Sequence, residues 1–63
     1  MSEKTIKQRR EALGLSQSKL AIRAGVSPGT IYRIEGGKGK ANEGTMILVL
    51  AELDRQEKAH AIP

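Results

Sequence analysis

The sequence predicts an all-α fold of four to five short helices, and three observations point that way. Glycines at 14, 25 and 36–37 each follow a short segment with helical apolar spacing, and each segment is preceded by a Ser or Thr suited to open a helix. The uninterrupted apolar run Met46-Ile47-Leu48-Val49-Leu50-Ala51 has the length of a buried strand, but no second strand-like segment exists to pair with it. Good helix formers continue from it through Ala59, which favours a helix.

The elements follow in order. Ile6, Ala12 and Leu13 lie on one broad side of a first helix over 5–13, opened by Ser2 or Thr5 and ended by Gly14. Ser16 caps a second helix, about 17–24, with Leu15 as its staple residue and Leu20, Ala21 and Ala24 on its inner face. Gly25 ends that helix and Val26 turns back toward the core. Ser27 then caps a third, about 28–35, with Pro28 at a first-turn position where its missing N–H costs nothing. Ile31 and Ile34 anchor this helix, leaving Gly29, Tyr32 and Arg33 facing outward until Gly36-Gly37 stops it. Asn42 caps a fourth helix with Glu43 in its first turn, and Met46, Val49, Leu50 and Leu53 form its core stripe. Residues 54–63 are a polar tail or an extension of this helix.

Sixty-three residues make one domain, 1–63, whose small size demands an efficient core. With no cysteine and one histidine, His60, the chain assembles no disulfide framework, zinc site or catalytic triad. No paired carboxylates and no phosphate-binding motif point to catalysis, and no cofactor or small-molecule substrate is expected. The apolar run is too short to span a bilayer, and Met1-Ser2-Glu3-Lys4 has no hydrophobic signal core, so a cytoplasmic protein is expected.

Charge is unevenly spread. Residues 1–42 hold nine Lys/Arg against three acids, a net +6, whereas residues 43–63 hold two against four, a net −2. A basic body attracts polyanions, because each Lys or Arg set on a phosphate releases a counterion. The flexible loop Gly36-Gly37-Lys38-Gly39-Lys40 suits a phosphate backbone, but it lacks the spacing and the strand-to-helix context of a nucleotide-binding loop.

The second and third helices with the turn Gly25-Val26-Ser27 resemble the helix-turn-helix of the phage repressor and Cro family, here at about residues 16–35. The matching pattern extends over about residues 5 to 53: Arg10, Leu13-Gly14-Leu15-Ser16-Gln17, Leu20-Ala21, Gly25-Val26-Ser27, Ile31, Ile34-Glu35 with a following glycine, and Leu50-Ala51-Glu52-Leu53. The resemblance implies a compact lambda-repressor-like domain that binds double-stranded DNA, with the third helix in the major groove. It implies base contacts from Ser27, Pro28, Gly29, Thr30, Tyr32 and Arg33. Of these Arg33 is the strongest reader, since a guanidinium donates two hydrogen bonds to guanine. Phosphate contacts are expected from Gln17, Ser16, Ser18, Lys38 and Lys40, and Lys7, Arg9, Lys19 and Arg23 are left as a general positive field. Arg10 and Glu35 resemble the family's structural ion pair.

Pro28 and Gly29 depart from relatives that place long polar readers there, so DNA shape and backbone contacts take a larger share of recognition. Ile22 faces the outer side of its helix. Ile47 and Leu48 lie beside the core stripe and are expected at a homodimer contact on DNA, unless the tail folds over them through Ile62. A large apolar fifth helix is missing from the pattern and is either absent or merged with the fourth. The leading function is a transcriptional repressor or autoregulator. The alternative is a protein-interaction module of the same fold, such as an antitoxin or a regulator-binding protein.

Overall fold

The computed structural model describes residues 4–37 and 41–61, and these form four helices and no strand. They are α1 (Ile6–Ala12), α2 (Gln17–Ala24), α3 (Pro28–Gly36) and α4 (Glu43–Ala61). Each start is fixed by a side-chain cap that accepts an otherwise orphaned backbone N–H. Thr5 closes a reciprocal capping box with Gln8, its Oγ1 accepting the Gln8 N–H at 3.1 Å while Gln8 Oε1 accepts the Thr5 N–H at 2.9 Å. Ser16 accepts from the Lys19 N–H at 3.0 Å, Ser27 from Thr30 at 3.2 Å, and Asn42 from Thr45 at 2.7 Å.

The first two helix ends use the same device. Gly14 (φ +70°) and Gly25 (φ +78°) occupy the left-handed region that a Cβ disfavours. The residue after each glycine then reaches back to a helix carbonyl: Leu15 N–H donates to Arg10 O at 3.2 Å, and Val26 N–H to Ala21 O at 2.9 Å. This reversal turns Leu15 and Val26 inward, where both pack on the core.

That core consists of Leu20, Ala21, Ala24, Ile31, Val49 and Leu53, with Ile6, Leu13, Leu15, Val26 and Ile34 packed around it. Helix α2 is central and lies against both α3 and α4, and α1 closes over α4. Two sequence expectations are corrected here. Ala12 is exposed, and the buried residue of α1 is Arg10. In α4, Val49 and Leu53 are fully buried and Met46 half-buried, but Leu50 is 36% exposed and Glu52 takes the inward position. The packed stripe is Val49, Glu52, Leu53 and Gln56, at i, i+3, i+4 and i+7, so the helix is rolled away from its most apolar face. Glu52 tolerates this place because Arg55 and Gln56 donate to its two oxygens.

The polar tail extends α4 rather than folding back. α4 runs 19 residues through Ala61, about 28 Å at the α-helical rise. Its second half is held to α1 by Arg9, whose guanidinium grips Glu57 with two hydrogen bonds (2.8 and 2.9 Å) and Asp54 with a third (2.7 Å). Ile62 lies outside the described residues.

The roll of α4 makes a mutational prediction. Leu53→Ala should cost about 2–5 kcal/mol as a fully buried large-to-small change, whereas Leu50→Ala should cost under about 1 kcal/mol. Denaturant unfolding of both variants measures the difference. Equal losses would place Leu50 in the core and refute this packing.

Candidate nucleic-acid interface

The α2–turn–α3 unit leaves the start of α2 and the outer side of α3 at the surface. Along α3, Ile31 is fully buried and Ile34 half-buried, and this anchoring turns Pro28, Gly29, Tyr32 and Arg33 to the surface. Tyr32 is 59% exposed and serves no core role. Arg33 is exposed and forms no ion pair among the described residues. A Cβ built at Gly29 meets nothing within 4 Å, so this part of the helix start is open surface. Ser27 is exposed and Thr30 half-buried, and their hydroxyls are hydrogen-bonded to each other at 2.8 Å. Both hydroxyls are therefore already engaged at the helix start, Ser27 as its cap and Thr30 as the partner of that cap.

At the N-terminus of α2, Ser18 is exposed, and Ser16 is exposed with its hydroxyl capping the helix. Gln17 is half-buried, and its amide nitrogen donates to Glu35 Oε1 at 3.0 Å. The Arg10–Glu35 pair expected from the sequence is present and is the centre of this network. Arg10 Nε and Nη2 donate to the two Glu35 oxygens at 2.6 and 3.0 Å, and Nη1 donates to the Leu15 carbonyl at 2.8 Å. Both side chains are largely buried, and no buried side-chain polar atom is left without a partner among the described residues. Burial opposes the charge on Glu35, but hydrogen bonds from Arg10 and Gln17, with the fields of Arg10 and Lys7, outweigh it. The carboxyl is held below the 4.5 of an unperturbed glutamate.

Other charged residues fall differently from the sequence reading. Arg9 does not belong to a free positive field: Glu57 and Asp54 neutralise it. Lys7, also assigned to the general field, lines a shallow notch with Gln17, Tyr32, Glu35 and Gly36. The signal that distinguishes Arg9 from Lys7 is an ion pair 48 residues away in sequence, which no local pattern announces. Lys38 and Lys40 lie outside the described residues. Ile47 and Leu48 are 60% and 50% exposed on α4, and Ile22 is 74% exposed on α2.

A helix-turn-helix family model matches residues 6–58, which takes in all of α1 to α3 and most of α4. The chain belongs to the Cro/C1-type helix-turn-helix family. No curated protein and no solved structure matches it significantly. Membership of this family makes the chain a DNA-binding helix-turn-helix protein, and no helix among the described residues is long and apolar enough to cross a membrane.

The buried node gives this helix-turn-helix protein a defined acid response. Glu35, Glu52 and Glu57 all titrate below 4.5 in the folded state. A depressed folded-state value means that the unfolded chain takes up protons first. The stabilisation is therefore whole above about pH 5.5 and is lost as pH falls through the folded-state values. Thermal midpoints measured from pH 7 downward should be flat and then drop below about pH 4.5. Glu35→Gln should lower the midpoint at neutral pH and shallow that acid drop, and an unchanged profile would remove Glu35 from the account.

Proposed function

We propose that this protein is a sequence-specific transcriptional regulator, a repressor or autoregulator, that inserts α3 into the major groove as one half of a homodimer. The observation that carries the reading is the outward face of α3. Pro28, Gly29, Tyr32 and Arg33 are exposed on a helix whose other side is locked into the core. In this family geometry the start of the recognition helix meets base edges while the helix before it lies along the backbone. Arg33 reads guanine through its fork of donors, Tyr32 covers sugar or a thymine methyl, and Ser27 and Thr30 give short-range contacts. Gln17, Ser16 and Ser18 sit where α2 begins and take phosphate, as do Lys38 and Lys40 beyond α3.

The wide spacing of long side chains on α3 has a consequence. With Pro28 and Gly29 contributing almost no reach, one arginine carries most direct discrimination, and sequence-dependent shape supplies the rest. Selection from a random duplex pool at two salt concentrations tests this directly. A recovered palindrome with a guanine in each half-site is expected. Arg33→Ala should then weaken the selected site by about 1–3 kcal/mol and flatten the preference at that base pair. Absence of any enriched sequence would leave charge-driven binding alone and favour the protein-interaction alternative.

Exposed Ile47 and Leu48 support the dimer, since two adjacent large apolar side chains on one helix gain by mutual burial. Sedimentation of the saturated DNA complex should show two chains per duplex. Leu48→Glu should weaken binding to a duplex with two half-sites and leave a single half-site unaffected. A one-to-one complex at saturation would end the dimer proposal.

A further inference from the structure

We infer that the notch lined by Lys7, Gln17, Tyr32, Glu35 and Gly36 seats one phosphate of the DNA backbone, with Lys7 of α1 as its cation. The inference rests on the DNA-binding reading and adds a contact from a helix outside the helix-turn-helix. Three residues that carry hydrogen-bond donors of different kinds line one concavity: Lys7 with an ammonium, Gln17 with an amide and Tyr32 with a hydroxyl. They come from three separate helices that the fold brings together.

The carboxylate in the notch is the obvious objection to an anion there. Glu35 is already satisfied, with both oxygens held by the Arg10 guanidinium and Oε1 also by Gln17. The bidentate pair leaves no net charge, so the Lys7 ammonium sets the sign of the notch. Lys7 is exposed and forms no ion pair among the described residues, in contrast to Arg9 and Arg10 on the same helix. Gln17 is held by Glu35 through one amide proton, and its second remains for a phosphate oxygen. An ammonium and two neutral donors around one opening suit a tetrahedral monoanion, and the notch opens beside the exposed Tyr32 of α3.

The test is the salt dependence of binding to a fixed duplex, measured for the full chain between 50 and 200 mM salt. Losing one phosphate neutralisation lowers the slope of log K against log salt by about 0.9, a roughly 3.5-fold smaller loss of affinity over that range. Lys7→Gln should show this reduction, Lys7→Arg should restore the wild-type slope, and Lys58→Gln, which removes the same charge at the far end of α4, should change nothing. Tyr32→Phe should weaken binding with its slope intact, and its effect should shrink in the Lys7→Gln background because both groups hold one phosphate. All variants should remain folded at the binding temperature, with Lys7→Gln melting slightly below wild type because the Lys7 field helps hold the Glu35 carboxylate. Equal slopes for wild type and Lys7→Gln, or equal reductions in Lys7→Gln and Lys58→Gln, would overturn the seat while leaving the DNA-binding reading standing. A wild-type chain that fails to bind duplex would overturn both.

Discussion

The position of α3 depends on one guanidinium. Arg10 spends three donor atoms on two targets, the Glu35 carboxylate at the end of α3 and the Leu15 carbonyl in the turn before α2. Gln17 closes the loop by joining the start of α2 to the same carboxylate. A pair this deeply buried adds little net stability over an apolar substitute, because desolvation offsets most of the attraction. Its value is directional: apolar contacts between Ile31, Leu20 and Ala21 permit α3 to slide or roll, whereas bidentate geometry permits one arrangement. In a domain with so few fully buried side chains, that constraint sets which residues of α3 face outward.

The parts of the fold governed by neighbours in sequence were legible, and of the distant pairings Arg10–Glu35 was, through the family resemblance, while the contacts of Arg9 with Asp54 and Glu57 were not. Ser16, Ser27 and Asn42 act as caps, Gly14 and Gly25 take positive φ, and Pro28 opens α3, because each role is decided within four residues. The roll of α4 was hidden by hydropathy rather than by distance. Leu50 is more apolar than Glu52, and although Arg55 and Gln56 stand only three and four residues on, apolar spacing does not show that they donate to the carboxylate and let it pack. The same holds in α1, where Arg10 is buried while Ala12 is exposed. Hydropathy alone ranks these pairs wrongly, since a satisfied ion pair packs where an unsatisfied one cannot.

Extension of α4 follows from the same exchange of charge for contact. The tail from Asp54 onward is too polar to bury a face of its own, so it gains nothing by folding back as a fifth helix. It continues in line because Arg9 offers a fixed cation at the spacing of Asp54 and Glu57, one turn apart. Hydrogen bonds and opposite charges in this cluster hold the Glu57 carboxyl low and the Arg9 guanidinium high against the desolvation that opposes both, so both remain charged through the physiological range.

This internal pairing reshapes the electrostatics that composition suggests. The asymmetry between a basic body and an acidic tail overstates the free charge on each, because Arg9 consumes the tail's Asp54 and Glu57, and Arg55 covers Glu52. Arg10 and Glu35 cancel at the centre. The cations of α1 to α3 with no such partner among the described residues are Lys7, Lys19, Arg23 and Arg33. On the proposed reading this division separates affinity from specificity. Lysines that touch only phosphate attract any duplex, and Arg33, the one unpaired cation on α3, discriminates among sequences. With Pro28 and Gly29 too short to share that task, a single half-site carries little information, and the doubling of half-sites by a second chain becomes the step that makes recognition selective.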